Sequence, residues 1–299
     1  MAYADSAILS GAESLLCDVV GGLVADNRFE VDFCAPADNA ALVEGLGGAT
    51  GRSPVADVPS QALPLAAFDL YDPRRITAVR RAVAGLDADV MLLNLPSAEY
   101  GATPLLAKAR DHFPVVGLMH ISGTMGKLGF RLGRVREVLA RRAVRRLDSV
   151  CLLSEQAKRD YPENWSPDGT RLDVIRMPQP TVEPSPRAAA RQNLGLPEDA
   201  TLIGMAGRLT VKQKGHDTLI DAASILLKER PGLKFVLAGD GQDRDLIEKR
   251  LADCGVADSF VMLGQVKGID GFLNAIDLIA IPSRFEGLPL IALEALAAG

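Results

Sequence analysis

Apolar, β-branched runs alternate with stretches of helical periodicity along all 299 residues, and this alternation restricts the fold more than any other property of the chain. A parallel strand reaches its neighbour only through a crossover, usually a helix, so such a sequence builds parallel sheets covered by helices. The pattern predicts strands over 29–34, 90–94, 115–119, 149–153 and 172–176, with helices over 13–25, 73–84, 104–110 and 134–146 between them. A second series follows, with strands over 202–206, 234–238, 260–263 and 278–281 and a helix over 216–229. In that helix Leu219, Ala223, Leu226 and Leu227 share one face, and Pro231-Gly232 ends it. Pro178, Pro180, Pro184 and Pro186 crowd a stretch poor in apolar residues, which marks a linker. The expectation is an α/β chain of two doubly wound parallel-sheet domains, 1–180 and 181–299.

Composition narrows the class of function. A hydrophobic content of 48% beside 24% charged residues belongs to a globular chain, and a net charge of -5 gives no reason to expect nucleic acid as partner. The cysteines Cys17, Cys34, Cys151 and Cys254 are far apart and form no C-x-x-C pair, which reads as free thiols in a reducing compartment. The first residues lack the basic and apolar segments of a signal peptide, and no uncharged run is long enough to span a bilayer. The expected location is cytoplasmic.

In open α/β sheets ligands bind at the C-terminal ends of strands, so the loops there carry the search for chemistry. The run 207–215 bears Arg208, Lys212 and Lys214 between glycines and feeds a helix, an arrangement suited to phosphate. Gly239-Asp240-Gly241 follows the next strand and admits close approach to its backbone. His120 follows the strand over 115–119. After the strand over 278–281 comes Glu286, then a segment from Leu288 to Gly299 whose only polar side chain is Glu294. A helix apolar on every face is expected to be buried, and a carboxylate in it needs a partner, either a ligand or an arginine of its own domain. Pro289 suits the first turn of that helix, so Glu286 would stand beside free N–H groups and the positive end of a helix dipole.

Together these loops resemble the group 1, or family four, glycosyltransferases. The run from Gly207 to His216 is similar to their phosphate-binding segment, Gly239-Asp240-Gly241 to their turn under the nucleotide, and Glu286 with Glu294 to their E-x7-E pair. Ser10-Gly11-Ala12-Glu13 is similar to the glycine loop facing the acceptor, and 148–154 to a recurrent strand. The resemblance implies the GT-B fold, two Rossmann-like domains facing a cleft, with the C-terminal domain truncated at Gly299 and therefore incomplete. It implies a retaining, nucleotide-sugar-dependent hexosyltransferase that moves a sugar to a hydroxyl acceptor on a glycan, a lipid-linked chain or a small molecule, without metal or other cofactor. Arg208 and Lys214 would hold the diphosphate, with Lys212 as the competitor for Lys214. Glu286 would orient the donor sugar, Gly287 and Leu288 would offer N–H groups to phosphate, and Glu294 would accept from the ribose. His120 would sit near the transferred sugar, with Gly11 on the acceptor side and Gly239 under the nucleotide.

Other readings compete. A nucleotide-sugar epimerase on the same scaffold would need placed acid and base carboxylates in the first domain, and the sequence shows no such pair. A non-catalytic nucleotide-binding fragment is the further alternative. Asp87-Ala88-Asp89 and Asp243-Arg244-Asp245 have metal-chelating spacing, but the first precedes a strand and the second suits a helix start. Finally, 127–146 holds eight cations and the single acid Glu137 among interleaved apolar residues. It is either a peripheral contact with the anionic inner membrane face or a solvated helix whose apolar stripe packs on the sheet.

Overall fold

A computed structural model describes the chain except for residues 8, 9, 62–69, 125, 127, 128, 130, 131, 168, 178 and 179. Of the features above, Pro178 and residues 127, 128, 130 and 131 of the basic stretch lie outside the described residues. The chain divides into two compact units, Met1–Met177 and Pro178–Gly299.

In the first unit the described strands are β1 (Ala2–Tyr3), β2 (Phe33–Ala35), β3 (Ala56–Asp57), β4 (Met91–Ser97), β5 (Val115–Ile121), β6 (Ser149–Leu152) and β7 (Arg171–Val174). They form one parallel sheet in the order β3-β2-β1-β4-β5-β6-β7. Helices α1 (Gly11–Ala25), α2 (Ala40–Thr50), α3 (Pro73–Ala84), α4 (Thr103–Leu106), α5 (Gly133–Val144) and α6 (Glu155–Asp160) connect them. Strand order reverses beside β1, the position at which doubly wound sheets open a crevice.

β1 is a strand that the sequence pattern does not reveal, because two residues are too few for a period. It is nevertheless central and fully buried at Ala2 and Tyr3. Asp5, two residues beyond it, ties its end down: the Arg75 guanidinium donates to Asp5 Oδ2 at 2.6 Å and to Thr103 Oγ1 at 3.0 Å. Asp5 is buried, and burial outweighs Arg75 so that its carboxyl titrates above the usual range. The strand expected over 29–34 is displaced to Phe33–Ala35: Phe29 and Glu30 are exposed, Glu30 and Asp32 pair with Arg52 at the surface, and the buried run begins at Phe33. The helix expected over 104–110 is interrupted, ending as α4 and restarting as a single 3-10 turn at Ala109–Asp111 after Lys108, whose φ is 65°.

The second unit contains β8 (Leu202–Ala206), β9 (Lys234–Ala238), β10 (Phe260–Gly264) and β11 (Leu278–Ile279). These run parallel in the order β10-β9-β8-β11. Helices α7 (Arg187–Asn193), α8 (Val211–Lys214), α9 (His216–Glu229), α10 (Arg244–Asp253), α11 (Asp270–Ala275) and α12 (Leu290–Ala298) flank them. One core beneath α9 and α10 is built on Leu209, Leu219, Ile220, Phe235 and Ile247, and a second, on the other sheet face, on Val236, Phe272 and Ile276.

α12 corrects an expectation. Its apolar sequence predicts burial, yet none of its residues is fully buried and Leu296 is 78% exposed. Ile291 and Ala295 rest on the second core, beside the edge strand β11, while Leu296 and Ala298 are exposed. Pro289 caps the helix instead of lying in its first turn.

Candidate functional site

The loops after β8, β9 and β11 in the second unit are locked together by backbone contacts. Gly239 has φ 130°, and a Cβ there would lie 2.1 Å from Gly207 O, so only glycine lets the β9 turn rest on the β8 loop. Leu209 N–H donates to Asp240 O at 3.0 Å and Asp243 N–H to Leu209 O at 3.1 Å. The close approach foreseen for Gly239-Asp240-Gly241 is thus made by the neighbouring backbone. Asp243, the capping residue of α10, reaches the same loop, its Oδ2 accepting from Val211 N–H at 2.8 Å.

A second lock joins the β8 and β11 loops. Gly215, at the corner between α8 and α9, has φ 75°, and a Cβ there would lie 2.2 Å from Pro282 O. Arg284 N–H donates to Gln213 O at 2.8 Å, and its guanidinium takes both carboxylate oxygens of Asp217 at 2.9 and 2.7 Å. Those hydrogen bonds hold the Asp217 carboxyl below its ordinary range. The result is that Lys214 Nζ stands 2.6 Å from Glu286 Oε1, which also accepts from Ser283 Oγ at 2.8 Å. The Lys214 side chain lies against Gly207 as well, where an added Cβ would touch Cε at 3.4 Å. Lys212, in contrast, is exposed.

Two predicted residues have no side-chain partner among the described residues. The Arg208 guanidinium, half-buried in the β8 loop, makes no hydrogen bond or ion pair with them. Glu294 likewise accepts from none; burial, with the Asp270 carboxylate adding, raises its carboxyl above the ordinary range. The arginine partner considered for Glu294 is therefore not found among the described residues. Gly287 and Leu288 precede α12, and their N–H groups donate to no described residue. His216 opens α9; burial lowers its pKa to about 4, with Lys214 acting in the same direction, and its Nδ1 is buried without a partner among the described residues.

The first unit carries the remaining predicted residues. Gly11 is the first, exposed residue of α1. His120 lies inside β5 and not in a loop after it, because the strand runs on to Ile121; it is only 8% exposed, and burial lowers its pKa to about 4. Its Nε2 is 2.9 Å from Asn94 Oδ1 on β4, and Asn94 Nδ2 is 3.4 Å from Glu13 Oε1 on α1. Ser10 N–H donates to Glu13 Oε2 at 2.9 Å and the Ser10 hydroxyl donates to the same oxygen. Asn94 went unassigned in the sequence, although one amide inside the run Met91-Leu92-Leu93-Asn94-Leu95 is a signal that burial must be met by partners. Ser283, Arg284 and Asp217 left no such signal, since exposed charges are common in loops.

Two units of helix-covered parallel sheet, with a glycine-bounded cationic loop at the C-terminal end of a strand in the second, are the architecture of GT-B proteins. The chain belongs to the group 1 glycosyltransferases: residues 186–299 match the family described as glycosyl transferases group 1, and residues 10–178 the glycosyl transferase 4-like domain. It is 31% identical over 224 residues to a D-inositol 3-phosphate glycosyltransferase of Salinispora arenicola, covering 67% of this chain and 50% of that protein. It is 32% identical over 163 residues to the lipopolysaccharide core biosynthesis mannosyltransferase LpsB of Rhizobium meliloti, covering 52% of this chain and 44% of that protein. The chain thus spans half or less of the length of these curated relatives. Among solved structures it is similar in fold to Anabaena Alr3699/HepE in complex with UDP-glucose, with a TM-score of 0.71, 21% identity, and coverage of 99% of this chain and 77% of that one. Among the described residues, no helix is long and apolar enough to cross a membrane.

Proposed function

We propose that the protein transfers a hexose from a nucleotide-diphosphate donor to a hydroxyl acceptor with retention of anomeric configuration and without a metal ion. In that reaction the anomeric C–O bond to the diphosphate breaks, the acceptor oxygen bonds the same carbon, and the hydroxyl proton is released. The observation that carries this reading is the meeting of Lys214 and Glu286 at 2.6 Å beside the glycine-bounded loop of β8. An ammonium there neutralises charge as it develops on the departing diphosphate, and Arg208, whose guanidinium has no partner among the described residues, adds a second cation. Glu286 accepts from hydroxyls of the donor sugar, and Glu294 from the ribose. Gly287 and Leu288 offer N–H groups to phosphate oxygen. His120 and Gly11, in the first unit, serve the transferred sugar and the acceptor.

The complexes of Alr3699/HepE with UDP and with UDP-glucose, and the sugar-transferring relatives, support a nucleotide-sugar donor and favour transfer over epimerisation. The test is to incubate the protein with UDP-, GDP- and ADP-sugars and a panel of hydroxyl acceptors, then follow the anomeric proton by NMR. A product with the donor's anomeric configuration is expected. An inverted product overturns retention, an epimerised donor overturns transfer, and nucleotide binding with no transfer supports a non-catalytic role.

A cytoplasmic protein peripheral to the inner membrane face is the location that best suits α5. Ala140, Ala143 and Val144 face the protein, whereas Leu132, Val135 and Val138 are each more than half exposed, beside exposed Arg142, Arg145 and Arg146. Arg136 is taken by Glu99 and is not part of this face. Apolar side chains flanked by exposed guanidinium groups match an anionic bilayer. Vesicles containing phosphatidylglycerol should bind the protein, and replacing Arg141, Arg142, Arg145 and Arg146 by alanine should weaken binding severalfold. Unchanged binding ends the idea.

A further inference from the structure

Glu13, Asn94 and His120 come from a helix and two adjacent strands, and neither Glu13 nor Asn94 has another role in the chemistry outlined above. Asn94 pairs in register with Leu118, so His120, two residues further along β5, projects from the same sheet face as Asn94. Glu13 is fully buried and Asn94 is 1% exposed. We propose that Glu13 and Asn94 are positioning residues that fix the His120 ring as its Nε2–H tautomer, leaving Nδ1 as the acceptor offered to a sugar hydroxyl. This rests on the reading of His120 as a sugar contact.

The hydrogens are placed from the carboxylate outward. Glu13 Oε2 is occupied by the N–H and O–H of Ser10, and a carboxylate supplies acceptors only. The group that faces Glu13 Oε1 at 3.4 Å must therefore be the amide NH2 of Asn94. That choice turns Asn94 Oδ1, also a pure acceptor, toward His120, so the ring nitrogen 2.9 Å away has to carry the hydrogen. A neutral imidazole has one N–H, and with it spent on Asn94 the remaining nitrogen accepts. His120 Nδ1 makes no hydrogen bond to a described residue, and the side chain keeps a small exposed area. In a buried setting each reversal along this chain would set two donors or two acceptors against each other, so the register of hydrogens is fixed as a unit.

The same register should invert in Glu13→Gln. There the new carbonyl must keep accepting from Ser10, so the new NH2 faces Asn94. Asn94 then turns its oxygen to that NH2 and its own NH2 to His120 Nε2, which moves the ring hydrogen to Nδ1. The chain has three histidines, His112, His120 and His216, so 15N-histidine labelling with His120→Asn for assignment resolves the ring directly. In the unaltered protein at neutral pH the long-range 1H–15N spectrum should show a pyrrole-type Nε2 and a pyridine-type Nδ1 for His120, and the reverse in Glu13→Gln. A protonated Nδ1 in the unaltered protein, or an unchanged pattern in Glu13→Gln, overturns the assignment. If Glu13→Gln does not fold, Asn94→Ala should give tautomer-averaged signals, and a persistent Nε2–H would overturn it equally.

Kinetics separate this failure from failure of the sugar contact. Glu13→Gln and His120→Ala should each lower kcat/KM by about tenfold, and the double variant should lose no more than His120→Ala alone. If the spectra behave as predicted but His120→Ala transfers sugar as well as the unaltered protein, the hydrogen register stands and the sugar contact falls.

Discussion

Lys214 Nζ and Glu286 Oε1 meet at 2.6 Å across 72 positions of sequence. This pair joins the loops after β8 and β11, and it exists because Gly215 permits Pro282 to approach and Arg284 grips Asp217. The charge of each member is balanced by the other at a half-buried place, so removing one leaves the other to find a new partner. A diphosphate would compete with Glu286 for the ammonium. Lys214→Ala should therefore weaken nucleoside diphosphate binding by about tenfold or more, while Lys212→Ala leaves it within about twofold. Equilibrium titration of the two variants decides between these lysines.

Glu294 gives the site a pH signature. Its carboxyl is raised by burial and by Asp270, so it takes up a proton at a pH above the ordinary glutamate range. If Glu294 reads the ribose as proposed, its carboxylate can accept from both hydroxyls, whereas the protonated form keeps one O–H that cannot. Nucleotide affinity should accordingly fall as pH drops through this raised value, by up to about tenfold per unit. The fall should vanish in Glu294→Gln and with a 2′,3′-dideoxy nucleotide. A pH dependence identical for ribo and dideoxy forms would show that Glu294 does not read the ribose.

Much of this was legible in the sequence because strands and loops recur at regular intervals. The strands over 202–206 and 234–238 and the helices over 73–84 and 216–229 stand where periodicity puts them, since each combines a strong apolar pattern with a clear stop. β1 and β3 were not legible, being two residues long without the apolar run Leu278–Ile281 that marked β11, and neither was α2, whose alanines and glycines give little contrast between faces. The cations of the β8 loop and the Glu286–Glu294 spacing were visible as residues. Their pairing was not, because it depends on loop contacts between positions about 70 apart, such as Arg284 with Asp217. α12 was misjudged for a related reason: composition reports how apolar a helix is, while its burial depends on what packs beside it.

The buried pair Asp5–Arg75 predicts a stability effect within the first unit. Arg75→Ala strands the buried Asp5 carboxyl and also frees Thr103 and Ser60 O. A loss of about 3–5 kcal/mol is expected in urea unfolding of the first unit. Arg75→Ala combined with Asp5→Asn should recover part of it, because the stranded charge is then gone.

Acid should destabilise the fold through His120 and His216. Both titrate near 4 in the folded chain, against about 6.5 when unfolded. The depressed values mean the unfolded chain binds more protons between these limits, so the contribution is complete above about pH 6.5 and is lost as pH falls toward 4. Each imidazole should tilt stability by up to about 1.4 kcal/mol per pH unit in that window. His120→Asn and His216→Asn should each flatten the slope, as read by denaturant midpoints across that range.

Whether the β8 loop and its partners hold the diphosphate of a nucleotide sugar is tested most directly by calorimetric titration of the protein and of Arg208→Ala with UDP, GDP and ADP. One of these nucleotides should bind the unaltered protein, and Arg208→Ala should bind that nucleotide at least about tenfold more weakly, since a charge-assisted contact is lost. Equal affinity for both proteins would contradict that role.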